Sequence, residues 1–366
     1  FEVLTTFLTS GFCRLLGPVI NESNHMIEGH GDDGYRFGNV IRYNFSSNVH
    51  YEGVAPGLVE HLTRSYHLIE NYPSPDAREL TDLAGALFNV PPSQLLFTNG
   101  ATEAFYLVAQ LFSGKSGLVA IPSFSEYEDA LRIHHVDIRF IPIDQVLTGD
   151  IQEDVVFIGN PNNPDGNVFS IEEIEKLLTG HPKSVFVIDE AYIEFTVATQ
   201  SSILLLSTHA NLIIVRSLTK TFVIPGLRLG YLVSQAESIQ KISELKMPWS
   251  VNTMAIQAGI FILKHYEKLL FKKEELIRQT YEFQKKLGPF QWLVPASSNT
   301  HYFLVRLNKG KTSDLKNFLI HEHGILIRDA TNFRGLEGEY FRLALQKDEA
   351  IDALIQAFNA WENQKY

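Results

Sequence analysis

Cysteine is nearly missing from this chain: Cys13 stands alone, so no internal disulfide can form, and a reducing, cytoplasmic setting fits best. Excess positive charge is missing too. The formal net charge is −11, a balance that repels phosphate backbones and anionic lipid and argues against nucleic acid and membrane surfaces as partners. A local basic pocket for a small phosphorylated molecule stays open, because a few residues set a site. The apolar opening, residues 1–16, is too short for a membrane span, carries Arg14, and lacks the basic start of a signal peptide. No repeat, low-complexity tract or Pro/Gly/Ser-rich linker divides the chain. With 45% hydrophobic and 20% charged residues, wholesale disorder is excluded.

What is present reads as an α/β protein. Near-continuous apolar runs at residues 94–98, 117–121, 154–159, 184–188 and 212–217 predict buried strands. Helical periodicity at 101–112 and 171–178 falls between them, and Ser170 with Glu173 forms a capping box. Such alternation predicts a mainly parallel sheet covered on both faces. Beyond Pro248 the texture changes. Residues 251–287 read as one long helical bridge, followed by strands at 301–307, 324–328 and 340–345 and helices at 313–322 and 348–361, an α+β unit. The expected organisation is an N-terminal arm or leader over 1–25 with Met26 as natural start, small-domain residues 26–54, a large domain over 55–260, and a C-terminal small domain over 261–366.

In open parallel sheets, ligands gather at the carboxyl ends of the strands. Four loops there carry unusual residues. Asn99-Gly100-Ala101-Thr102-Glu103 lets the backbone approach an anion at a helix N-terminus; a plain helix cap by Asn99 or Thr102 explains it equally well. Asn160-Pro161-Asn162-Asn163-Pro164-Asp165-Gly166 fixes an Asn side chain, or is only a rigid turn. Asp189-Glu190-Ala191-Tyr192 ends a buried strand, where a carboxylate needs a cation: a protonated pyridine nitrogen, or a structural salt bridge. In Ser217-Leu218-Thr219-Lys220, a lysine past a buried strand suits a Schiff-base nucleophile. The hydroxyls of Ser217 and Thr219 and the guanidinium of Arg228 suit a phosphate. A solvated surface lysine would leave that donor set unexplained.

In this order, the four segments resemble the class I/II aminotransferase superfamily, the fold-type-I pyridoxal phosphate (PLP) enzymes, from about Gly29 to the C-terminus. The resemblance implies a large domain with a mainly parallel sheet between helices plus a smaller α+β domain. It implies Lys220 as the Schiff-base lysine and proton carrier, and Asp189 as partner of the pyridine nitrogen. Asn163 and Tyr192 would sit on the ring's phenolic oxygen, and Phe124 would stack on the ring. Gly100, Ala101, Thr102, Ser217, Thr219 and Arg228 would surround the cofactor phosphate. Tyr72 would reach that phosphate from a neighbouring subunit, hence a homodimer.

Segments outside these motifs narrow the likeness. His30-Gly31, the stretch Asn44 to Asn48, and the stretch Ile327 to Leu336 resemble the histidinol-phosphate aminotransferase branch and, within it, the threonine-phosphate decarboxylases of cobalamin synthesis. That likeness implies Arg342 on the substrate's α-carboxylate and Arg328 on its phosphate, aided by His30 and Asn48. Strand alternation turns Arg342 away from the apolar face, toward solvent or a cleft. Val49-His50-Tyr51 and Asp32-Asp33 depart from the decarboxylase pattern near the expected substrate phosphate. Two alternatives stand beside decarboxylation of O-phosphothreonine: a histidinol-phosphate or related transaminase, and an inert binding protein on the same fold. The string Gly29 to Gly34 has no strand before it, so it is no dinucleotide site. His134-His135 and His321-Glu322-His323 do not converge on a metal and read as helix-end residues.

Overall fold

The structure, a computed structural model, describes residues 32–365. The expected arm over 1–25 and His30 lie outside the described residues. Among the described residues, thirteen strands form three sheets. The largest is built from β2 (Leu95–Thr98), β3 (Ser116–Ile121), β4 (Asp137–Pro142), β5 (Val155–Gly159), β6 (Val185–Asp189), β7 (Leu212–Ser217) and β8 (Gly230–Ser234). A second comprises β9 (Leu293–Pro295), β10 (Tyr302–Leu307), β12 (Arg328–Asp329) and β13 (Tyr340–Ala344), while β1 (Tyr43–Asn44) pairs with β11 (Ile325–Leu326).

The seven-stranded sheet runs β2-β8-β7-β6-β5-β3-β4. β8 runs opposite to the other six strands. The apolar runs are continuous because both faces are covered. Val156 and Ile158 of β5 enter one core with Leu80 and Ile256, and Val155 and Phe157 enter the other with Phe105 and Tyr127. Helices α1 (Leu58–Ser65), α2 (Arg78–Phe88), α5 (Ile171–Gly180) and α8 (Thr253–Lys264) supply the first layer; α3 (Gly100–Leu111), α4 (Glu126–Ile133) and α7 (Ala236–Ser243) supply the second. Each large side chain so buried contributes roughly 1.5–3 kcal/mol. The capping box of α5 is complete, with the Ser170 hydroxyl accepting from Glu173 N–H and the Glu173 carboxylate accepting in return.

Register brings the loops together. Gly159, Asp189 and Val215 lie side by side at the carboxyl ends of β5, β6 and β7. Gly230 pairs with both Ser217 and Thr98, so β8 spans the gap between the lysine loop and the start of α3.

Two expectations change. The single long helix over 251–287 is three helices: α8, α9 (Tyr266–Leu269) and α10 (Lys273–Leu287). The chain leaves helical geometry at Leu270 because Leu270 packs on the large core and Phe271 on the small one. The strand over 324–328 is also split, since Ile325 and Leu326 pair with β1 while Arg328 and Asp329 pair with β13. The small core gathers α10, β10, β13 and α12 (Asp348–Lys365), with α11 (Thr312–His323) beside it; the one-turn α6 (Leu218–Thr221) completes the helices. His134 caps the end of α4, and His321 and His323 lie in the last turn of α11. Among the described residues no helix is long and apolar enough to cross a membrane, and no group of three or more acidic, His or Cys residues is placed to hold a metal ion.

Candidate active site

The four loops line one cleft of about 160 Å³. At one end, α3 begins at Gly100, whose φ of +78° suits glycine, and a Cβ there would collide with the Arg228 guanidinium. Arg228 itself holds a left-handed φ of 58°, and Gly230 presses so close that a Cβ on it would meet Ala101 N at 2.6 Å. This is no ordinary cap. Asn99 makes no side-chain bond to the helix, and its own N–H donates to Glu103 at 2.5 Å. The first-turn residues Ala101 and Thr102, together with Ser217, Thr219 and Arg228, line the same end of the cleft. The Ser217 and Thr219 hydroxyls lie 2.7 Å apart.

Deeper in, Lys220 lines the cleft from α6, and its carbonyl accepts from His50 N–H at 3.0 Å. Asp189 is 7% exposed. Its carboxylate accepts from Tyr127 OH at 2.6 Å and from Ala191 N–H at 2.9 Å. Burial pushes the Asp189 carboxyl up to about 6, against those two donors and the charge of Lys220. The two acids of the Asp189-Glu190 pair have different surroundings. Glu190 forms the structural salt bridge, 3.3 Å from Arg216 in a buried network with Glu194, while Asp189 faces the cleft with no ion pair among the described residues.

Two buried arginines come from the second sheet. Arg328 and Arg342 are cross-strand partners on β12 and β13, 7% and 3% exposed. Arg342 donates to Ser46 O at 2.7 Å and to the Asn163 side-chain oxygen, and its Nε has no partner. Arg328 donates to Asp329 O and, at 3.0 Å, to Asn332 Oδ1. Neither forms an ion pair among the described residues. Burial lowers both pKa values, that of Arg328 to about 10, with the adjacent Arg342 charge adding to the effect.

Of the residues singled out from sequence, Ala101, Thr102, Phe124, Asn163, Asp189, Tyr192, Ser217, Thr219, Lys220, Arg228, Asn48 and Arg342 share the cleft. Asn48 is buried, its amide donating to Tyr192 OH at 3.1 Å. Arg328 lies one step aside, in an adjoining pocket of about 20 Å³ that shares Phe124. That pocket has room for about one water. Tyr72 stands apart, 85% exposed, its ring centroid 5.2 Å from that of Trp249. Sequence reading missed Ser46, Ser47 and Phe105 as lining residues and Tyr127 as the donor to Asp189.

Residues 43–358 match the sequence profile of the family described as aminotransferase class I and II. The chain belongs to that family. Among solved structures, this family member is similar to the L-threonine-O-3-phosphate decarboxylase of Porphyromonas gingivalis, with 36% identity, a TM-score of 0.85, and coverage of 88% of this chain and 99% of that one. The histidinol-phosphate aminotransferase of Clostridium acetobutylicum superposes with a TM-score of 0.78 at 27% identity, over 88% of this chain and 99% of that one. The threonine-phosphate decarboxylase of Salmonella typhimurium is 29% identical over 327 residues, 86% of this chain and 89% of that protein. The fold is therefore the fold-type-I PLP-transferase fold, as the motif order implied.

Proposed function

We propose that this family member is a PLP-dependent decarboxylase of a phosphorylated amino acid, converting O-phosphothreonine to aminopropanol phosphate and CO2. The observation that carries the substrate class is the Arg328–Arg342 pair. Two buried guanidiniums side by side are hydrogen-bonded only to neutral acceptors and form no ion pair among the described residues, with Asp32, Asp33 and Asp329 offsetting them only at longer range, and buried charges are costly unless paired. One substrate with a carboxylate and a phosphate offsets both. Arg342 takes the carboxylate and Arg328 the phosphate, with Asn48, and His30 from outside the described residues, assisting.

The cleft fits the cofactor on its own chemistry. Asp189 is a buried carboxylate without a cation, which a protonated pyridine nitrogen would supply. The Gly100 turn is a cradle that a Cβ would fill, surrounded by hydroxyl, guanidinium and backbone N–H donors. Lys220 would hold PLP covalently, Asn163 and Tyr192 would bond its phenolic oxygen, and Phe124 would stack on its ring. Bound there, PLP supplies an electron-accepting ring for the pair left at Cα when the carboxylate departs. Lys220 Nζ is the group that carries the replacing proton to Cα. Which bond at Cα breaks depends on which stands perpendicular to the ring, so Arg342 orients as well as binds. Exposed Tyr72, in ring contact with the half-exposed Trp249, supports a homodimer in which Tyr72 reaches the neighbouring site.

The test is to give PLP-loaded protein O-phosphothreonine with and without 2-oxoglutarate. CO2 and aminopropanol phosphate in equal amounts, independent of 2-oxoglutarate, support decarboxylation. Glutamate formed without CO2 supports a transaminase instead, and a chain that turns over neither O-phosphothreonine nor histidinol phosphate nor any of a panel of amino donors is a binding protein.

A further inference from the structure

We propose that Glu128 and Arg334 form a latch across the small pocket beside the cleft, making Arg334 the positioning residue for the Arg328 anion subsite. Glu128 sits in the first turn of α4 on the large domain, with a side chain only 5% exposed. A carboxylate so buried needs cationic partners. Arg132, one turn on, supplies one at 2.7 Å. The other comes from the small domain: Arg334 donates through Nε at 2.8 Å and Nη2 at 2.7 Å, one to each carboxylate oxygen. This two-pronged geometry fixes direction as well as distance.

The latch is continuous with the subsite. Arg334 lies two residues beyond Asn332, whose side-chain oxygen holds Arg328 Nη2 at 3.0 Å, and directly after Phe333, whose ring lies 5.1 Å from the Arg328 guanidinium. Successive turn bonds, Phe333 N–H to Ala330 O and Leu336 N–H to Phe333 O, join these residues into one unit. That unit rests on the large domain at two further points. The Arg334 guanidinium stacks over Phe140 at 4.3 Å, and a Cβ on Gly335 would lie 3.1 Å from Ile121. On the other side, α4 also carries Tyr127, which holds Asp189. The latch therefore sets the distance between the phosphate-holding arginine and the cofactor-holding carboxylate.

The proposal rests on the reading that Arg328 receives a substrate anion, and its test separates the two. Glu128 keeps Arg132 when Arg334 is changed, so Arg334→Gln retains a partnered carboxylate and a folded chain. In PLP-loaded protein, Arg334→Gln is expected to raise the KM for O-phosphothreonine and the calorimetric Kd for inorganic phosphate by about tenfold each. The kcat and the visible absorbance band stay unchanged. Arg334→Lys, which keeps the charge without the fork, recovers part of the loss. KM and Kd within about twofold of the parent overturn the latch, as does a loss confined to kcat or a shifted absorbance band. Arg328→Gln is the control: if it too leaves both constants unchanged, the Arg328 reading is what fails.

Discussion

Tyr127 donates a 2.6 Å hydrogen bond to Asp189 across 62 residues of sequence, from the loop side of α4 to the end of β6. The Tyr127 hydroxyl is itself pushed well above its ordinary value by burial and by the facing Asp189 charge, so it stays a donor throughout the working pH range. It holds the carboxylate both ionised and aimed. Tyr127→Phe removes a bond to a charged group, worth about 1.5–3 kcal/mol. Cofactor affinity is expected to fall by roughly one to two orders of magnitude, read by fluorescence titration of the cofactor-free protein.

Asp189 carries a stability cost with a definite pH signature. Its folded pKa of about 6 exceeds its ordinary 3.8. Between those values the folded chain keeps a proton that the unfolded chain releases, so cofactor-free stability falls as pH rises through that window. Asp189→Asn accepts from Tyr127 without the charge. Scanning calorimetry should find the cofactor-free variant more stable by roughly 2–3 kcal/mol at pH 8 and no different below pH 4, while its cofactor affinity drops. In the parent, cofactor affinity should weaken as pH falls through 6, because the protonated acid no longer offsets a ring charge.

Much of this was legible in the chain, and the exceptions have physical causes. β5 and β7 stood out because both faces of the sheet are covered, leaving an unbroken apolar run. β4 did not, because Asp137 and Arg139 alternate with apolar residues at a sheet edge where one side is exposed. Asn99-Gly100 was ambiguous until Arg228 was seen to fill the space a Cβ needs. The arginine of β13 was turned toward solvent or a cleft by strand alternation alone, and only tertiary packing buries it beside Arg328. Nothing near Tyr127 in sequence points to Asp189, since that contact depends on how α4 packs on the sheet.

Arg342→Gln tests the anion pair. It removes the charge facing the substrate carboxylate yet keeps the neutral bonds to Ser46 and Asn163 within reach. Loss of a buried charge partner costs about 3–5 kcal/mol, so kcat/KM for O-phosphothreonine should fall at least a hundredfold in steady-state assays, with the visible cofactor band preserved.

Gly100→Ala tests the phosphate cradle. The residue sits at φ +78°, and its added methyl meets the Arg228 guanidinium. A left-handed alanine costs about 1–2 kcal/mol, and displacement of Arg228 adds to the loss of cofactor. The melting temperature should fall by several degrees, and cofactor affinity by more than that stability loss alone explains, measured by thermal melts across a cofactor titration.

The central claim is that Lys220 is the covalent seat of the cofactor, in the cleft that Asp189 also lines. Borohydride reduction of PLP-loaded protein, followed by proteolysis and mass spectrometry, tests it directly. The account predicts a phosphopyridoxyl group on the peptide carrying Lys220 and on no other lysine. A label on a different lysine, or none at all from protein that has bound the cofactor, contradicts it.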